Sequence, residues 1–217
     1  NNICKFLSPY QMKVPSETDG TFAFLFTQFL QLHFHLWNYC RVLLYYATIR
    51  PFTMPNPTTD SLQYVSTHSI GCVYINPLTG HHSLIATQTF PEGSTICAFS
   101  AEKVYSRPSR YTVQTGESAH IKLLPDFLQY INHSCNPNSF FDTDSFQLIA
   151  LREIEAGEEF TFFYPSTEWN MAEPFQCFCG ESNCLGKIQG ASQMKPEVLA
   201  SYRLTTFIRQ KLNPTSL

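Results

Sequence analysis

Charge is what this sequence has least of. Asp, Glu, Lys and Arg make up 14% of the 217 residues, about half the usual share, while hydrophobic residues reach 43%. That balance excludes a generally disordered chain, which needs the reverse. There is no basic surplus either: 17 acidic against 14 basic residues give a net charge of −3 and a pI near 6.2. A protein that binds the phosphate backbone needs a positive face, so direct nucleic-acid binding is not expected. No repeat and no low-complexity tract is present. No signal-peptide pattern is visible, and with Asn1 in first place nothing about targeting follows from that.

Residues 21–40 lack Asp, Glu, Lys and Arg altogether. Gln28, Gln31, His35 and Asn38 nevertheless fall on one narrow stripe of an α-helix, with Phe22, Leu25, Phe26, Phe29, Leu30, Leu36 and Trp37 around the rest. Four hydrogen-bonding side chains in hydrocarbon are costly, so a buried helix is expected here rather than a membrane span. The alternatives for this helix are dimerisation or contact with a membrane surface, and residues 21–49 are a candidate for shaping substrate access or a dimer contact. His33 and His35 read as packing or surface residues rather than ligands. Three prolines between Pro51 and Pro57 then make a linker.

Beyond the linker the texture changes to short runs of β-branched and aromatic residues. These are Ile70–Ile75, Leu84–Thr87, Thr95–Phe99, Tyr111–Gln114, His120–Leu123, Gln147–Leu151 and Phe160–Tyr164. Turn signals such as Asn76-Pro77, Pro91-Glu92-Gly93 and Ala156-Gly157 separate them. The expectation is a mostly β fold of small sheets with flanking helices. After Pro196, residues Glu197 to Lys211 read as a terminal helix, with proline in the first turn and Arg209 and Lys211 near the end.

Of the eight cysteines, Cys4, Cys40, Cys72 and Cys97 are scattered singly. Cys177, Cys179 and Cys184 form a C-x-C-x4-C cluster, with Gly180 supplying a tight turn. Three thiolates are one short of a structural zinc site, and Cys135, in a polar turn-forming segment, is the candidate for the fourth. Free thiols at such spacing point to a reducing compartment, nucleus or cytosol.

Cys135 belongs to Asn132-His133-Ser134-Cys135. Gly157-Glu158-Glu159-Phe160-Thr161-Phe162-Phe163-Tyr164 follows some two dozen residues on, and the cysteine cluster about a dozen later. In that order and at those distances the three motifs resemble the SET-domain family of protein lysine methyltransferases, over about residues 70–186. The resemblance implies a SET-domain (β-clip) fold with a pseudoknot and a post-SET zinc knuckle. It implies residues 1–60 as an N-terminal extension and linker, 61–165 as the SET domain, 166–190 as the post-SET segment and 191–217 as a C-terminal helix.

It also implies S-adenosylmethionine and Zn2+ as cofactors. Asn132 and His133 match the positions that hold the cofactor, largely through hydrogen bonds that include the adenine. Tyr164 matches the catalytic tyrosine, which also borders the cofactor. Phe162 matches the substrate-channel position that limits methyl number; phenylalanine there favours di- or trimethylation. Phe178 falls where an aromatic ring covers the adenine. Cys135, Cys177, Cys179 and Cys184 match the metal ligands. The partner implied is a protein with a target lysine, a histone by family default.

One departure stands out. The family carries Gly-x-Gly before the strand matched by Leu84-Ile85-Ala86-Thr87; here His81-His82-Ser83 occupy those positions. His81 and His82 read as surface turn residues, or either as a polar group in a remodelled pocket. The departure supports an alternative, a SET-fold protein that no longer methylates protein, either a binding pseudoenzyme or an enzyme of small-molecule biosynthesis.

Overall fold

In a computed structural model, the structure describes residues 62–213. The expected helix and linker at residues 21–57, Cys4 and Cys40 lie outside the described residues. Four small sheets carry the described chain. Strands β1 (Gln63–Thr67), β2 (Gly71–Ile75) and β3 (His82–Ala86) form an antiparallel meander. Strands β2 and β3 approach closely because Gly71 faces the Ile85 carbonyl, where a Cβ would collide.

Strands β4 (Thr95–Ala98), β5 (Ser100–Tyr105), β6 (Thr112–Gly116) and β7 (Ala119–Leu124) follow. The last three make a sheet in the order β5-β7-β6. A 3-10 turn at Asp126–Tyr130 then delivers the chain to β8 (Asn132–His133). Strands β9 (Ser139–Asp142), β10 (Gln147–Ala150) and β11 (Thr161–Phe162) complete a five-stranded sheet in the order β4-β10-β9-β11-β8. A two-stranded ribbon, β12 (Phe175–Gln176) with β13 (Lys187–Ile188), and two short helices, Pro196–Leu199 and Thr206–Leu212, end the described chain.

The core is aromatic and aliphatic. Phe141, Phe160, Leu84, Leu128, Leu148, Ile154 and Val73 are fully enclosed. A second cluster of Phe163, Ala191, Leu199, Leu204 and Ile208 collects under the C-terminal helices.

Each of the seven expected strands is present, with ends shifted by a residue or two in most. Phe160–Tyr164 shortens to Thr161–Phe162 because Pro165, with its fixed φ, turns Tyr164–Ser166 into a 3-10 turn. The single helix expected over Glu197–Lys211 is corrected: it is two short helices. Pro196 opens the first as expected. The chain then leaves helical geometry so that the Tyr202 ring can stack on Phe163, 3.6 Å between centroids, and Thr205 caps the second helix through Ile208 N–H. Among the described residues, no helix is long and apolar enough to cross a membrane.

Candidate active site and thiol cluster

The site grows from one topological feature. Strand β11 inserts between β8 and β9, parallel to both, pairing Thr161 with Asn132, Phe162 with His133 and Phe162 with Ser139. Residues 134–138 therefore loop around the incoming strand, which is the expected pseudoknot. Asn138, 1% exposed, locks it: its Oδ1 accepts from Thr161 N–H at 2.8 Å and its Nδ2 donates to the Glu159 carbonyl at 2.8 Å. Immediately upstream, Phe160 N–H donates to the Leu84 carbonyl at 2.9 Å, so the same segment is stitched to β3.

The parallel pairing brings Asn132, His133 and Tyr164 together. Tyr164 donates its hydroxyl to the Ile131 carbonyl at 3.3 Å and its main-chain N–H to His133 Nδ1 at 3.4 Å. Burial pushes the Tyr164 hydroxyl pKa up, and the Glu159 carboxylate adds to that. The hydroxyl is thus a neutral donor near neutral pH. Its ring packs on Phe162 at 4.6 Å and lies edge-on to Phe175 at 5.9 Å.

Both ring nitrogens of His133 are engaged within the fold, Nε2 lying 3.3 Å from Cys135 Sγ. Burial holds this ring neutral, with its pKa down to about 4. The His133 ring therefore ties the knot to the thiol cluster.

Asn132 Nδ2 faces three acceptors: the His82 carbonyl at 2.7 Å, Ser83 Oγ at 3.3 Å and Glu159 Oε1 at 2.7 Å. The substituted glycine segment therefore sits against the NHSC motif itself. His82 is corrected from a surface turn residue: it opens β3, and its ring stacks on Tyr130 at 4.7 Å because the antiparallel register turns it inward. His81 is exposed, as expected. The donor set suits a cationic ligand. The Glu159 carboxylate lies at the junction, and among the described residues no donor reaches Asn132 Oδ1. Phe178 is 87% exposed, an apolar ring with an open face beside the thiols. In chemistry these groups fit S-adenosylmethionine, which combines a sulfonium and an ammonium with an aromatic base.

The four cysteine sulfurs expected to ligate zinc lie within 4.8 Å of one another. Cys135 and Cys177 are 4.0 Å apart, close to the roughly 3.8 Å edge of a tetrahedral Zn–S4 site. Leu185 N–H points at Cys135 Sγ at 3.4 Å, and Asn183 Nδ2 and the Tyr202 hydroxyl both donate to the Cys135 carbonyl. Such outer contacts are what orients metal thiolates. Burial raises the Cys135 thiol to about 11. Cys179 goes the other way, to about 7: burial opposes ionisation, and hydrogen bonds from the Cys135 and Glu181 amides and the neighbouring thiols outweigh it. Gly180 takes φ +76°, the turn its position suggested. The cluster fits zinc.

Sequence reasoning missed three contributors. Glu159 read only as part of a turn entering a strand, although its carboxylate lies on Asn132. Asn138 read as a loop residue. Phe175, two residues before Cys177, carried a usable signal: an aromatic residue at fixed distance from the thiols, here edge-on to both His133 and Tyr164.

Comparison with known proteins agrees with this geometry. The SET domain family model matches residues 81–165. The chain is 47% identical over 103 residues to a protein of Aspergillus flavus named Methyltransferase flvH, a match covering 46% of this chain and 57% of that one. It is 44% identical over 71 residues to a histone-lysine N-methyltransferase, H3 lysine-36 specific, of Chaetomium globosum, covering 30% of this chain and 8% of that one. This chain thus spans little more than half of the first relative and a small part of the second. Among solved structures, KRYPTONITE in complex with mCHG DNA and SAH overlaps 49% of this chain and 26% of that one, at TM-score 0.39 and 23% identity. The stretch matched by the SET domain family model, residues 81–165, thus includes β11 threaded between the arms of the NHSC loop.

Proposed function

We propose that this protein is a methyltransferase that uses S-adenosylmethionine to methylate the side-chain amine of lysine in a protein. The observation that carries the reading is Tyr164: a half-buried, neutral hydroxyl turned onto the Ile131 carbonyl, just beyond β11 and with its main-chain N–H on His133 of β8. When bound, S-adenosylmethionine supplies an electrophilic methyl group. The chain supplies alignment and desolvation. Asn132 Oδ1 and the Glu159 carboxylate suit the cationic end of the cofactor, and the exposed Phe178 ring suits its adenine. The aromatic wall of Phe162, Tyr164 and Phe175 is a poor environment for ammonium and favours the neutral, nucleophilic amine. The Tyr164 hydroxyl orients that amine. Phe162, with no hydroxyl of its own, leaves room for more than one methyl group.

Residues 166–190 act as a post-SET segment, held over the site by a zinc ion on Cys135, Cys177, Cys179 and Cys184. Relatives named for H3 lysine-36 make a histone H3 peptide containing that lysine the first substrate to try, and the nucleus the expected location. A small-molecule amine is the second reading, favoured by the relative that matches the longer stretch and whose name specifies only a methyltransferase.

The test is transfer of labelled methyl to H3 peptides and to free lysine, for wild type and Tyr164→Phe. The exchange removes one hydroxyl and keeps the ring, so folding should persist while turnover falls at least about a hundredfold. Equal turnover in the variant would make Tyr164 structural and remove the basis of the reading.

A further inference from the structure

Four residues beyond Tyr164 lies a buried carboxyl that the proposed chemistry does not use. Glu168 is 8% exposed. Its Oε1 accepts from the main-chain N–H of Gln114 in β6 at 2.8 Å. The Gln114 side-chain oxygen returns the contact, accepting from Trp169 N–H at 2.9 Å, while Gln114 Nε2 is fixed on the Gly116 carbonyl at 2.9 Å. The two residues thus form a reciprocal clamp between β6 and the turn after Tyr164. On the turn side, the N–H groups of Thr167 and Glu168 both donate to the Tyr164 carbonyl at 3.1 Å.

The clamp closes a circuit. Strand β6 pairs with β7, β7 runs through the 3-10 turn to Ile131, and the Ile131 carbonyl receives the Tyr164 hydroxyl. The tyrosine is therefore fixed at both ends by one sheet, at its hydroxyl through Ile131 and at its main chain through Glu168. Glu168 Oε2 faces His120 Nδ1 from β7 across 3.9 Å, and among the described residues that buried nitrogen has no hydrogen-bond partner. Groups meeting Glu168 are Gln114 from β6, His120 from β7 and Thr167 beside it; Lys211 lies over the Trp169 ring and pairs with Glu117.

We infer that Glu168 is a positioning residue for Tyr164, clamping the turn behind the tyrosine to the β5-β7-β6 sheet so that its hydroxyl stays aligned. This rests on the methyltransferase reading above. A neutral carboxyl suits the site: burial lifts Glu168 to about 7, against the hydrogen bonds from Gln114 and Thr167, and burial keeps His120 uncharged by lowering its pKa. As pH rises through 7 the carboxyl ionises and draws water toward the clamp. Glu168→Gln keeps an acceptor for Gln114 and cannot ionise. Glu168→Ala removes the clamp.

The test pairs hydrogen exchange with kinetics on the full chain. In Glu168→Ala, amides at 164–169 should exchange about tenfold faster, with those of β2 and β3 unchanged. Turnover should fall roughly tenfold at constant cofactor KM, because alignment is lost rather than binding. Glu168→Gln should retain most of the turnover near pH 6, and its turnover relative to wild type should rise as pH passes 7. A purely structural role would lower the melting temperature and leave that ratio flat, and would overturn the inference. Unchanged exchange in Glu168→Ala would overturn the clamp. A wild type that methylates neither peptide nor free amine, with the exchange difference intact, would overturn the methyltransferase reading instead. If Glu168→Ala does not fold, the pH-dependent ratio for Glu168→Gln decides alone.

Discussion

The knot and the thiol segment share Cys135 and are held by different means. The knot is knitted from strand pairing and from Asn138, over a floor of fully buried Phe141 and Phe160. The thiol segment has a ribbon of two-residue strands, buries little apolar surface beyond Cys177 and Ile188, and leaves Phe178 in solvent. A fold can thus carry a knitted crossing and, joined to it through Cys135, a segment whose sulfurs gather in one metal-sized cluster.

Metal removal should separate the two regions most strongly. Zinc binding at structural sites is worth about 10–16 kcal/mol in small domains, far more than the apolar contacts of residues 175–188 can supply. Cys184→Ser, or chelation, should abolish a stoichiometry of one zinc per chain and expose the amides of residues 177–188 to exchange. Strands β2, β3 and β10 should stay protected. Metal analysis and hydrogen exchange check this; concurrent loss of protection in β10 would show that the regions fold as one.

Asn138→Leu should do the opposite damage. It leaves the Glu159 carbonyl and the Thr161 N–H buried without their present partners. At about 1–3 kcal/mol for each of the two stranded groups, the loss is roughly 2–6 kcal/mol. The denaturation midpoint should fall at unchanged zinc content. A cost below about 1 kcal/mol would mean that the crossing is held by apolar packing alone.

These two regions were also unequally readable from sequence. The thiols announced themselves because ligand spacing is local, and Cys135 could be added from the polar turn around it. The knot's lock could not be read, because Asn138 meets Thr161 only after the chain has threaded past itself, 23 residues on. Strand β5 escaped notice because all six of its residues are exposed, so no alternation of apolar and polar positions marks it. The terminal helix was overextended for a related reason: periodicity cannot show that Phe163 claims the Tyr202 ring. Gln114, His120 and Glu168 lie far apart in sequence and converge only through the β6–β7 pairing.

A third, smaller effect comes from Glu168, which belongs to neither region. Its carboxyl is raised by burial to about 7 from an ordinary value near 4.5. Between those values the folded state holds a proton that the unfolded chain has released, so stability should fall as pH rises from about 4.5 to 7. The full span amounts to about 3 kcal/mol. Urea midpoints measured across that range should decline for wild type and flatten in Glu168→Gln. Parallel declines in the two proteins would assign the slope to other carboxyls.

The smallest expected effect on folding is also the sharpest test of what the thiol segment is for. Phe178 is 87% exposed, so Phe178→Ala removes almost no buried surface and should change stability by no more than about 0.5 kcal/mol. Zinc content should not change, since the flanking Cys177 and Cys179 are untouched. If the ring stacks on the adenine of S-adenosylmethionine, its loss should weaken cofactor binding by about 0.5–1.5 kcal/mol, or roughly two- to tenfold. Phe178→Tyr keeps an aromatic face and should bind as wild type. Calorimetry on the three proteins distinguishes the outcomes. Weaker binding in the alanine variant alone would mean that the segment serves the cofactor through this ring. Equal affinity in all three would remove Phe178 from the site and leave the thiol segment's role to its metal and main chain.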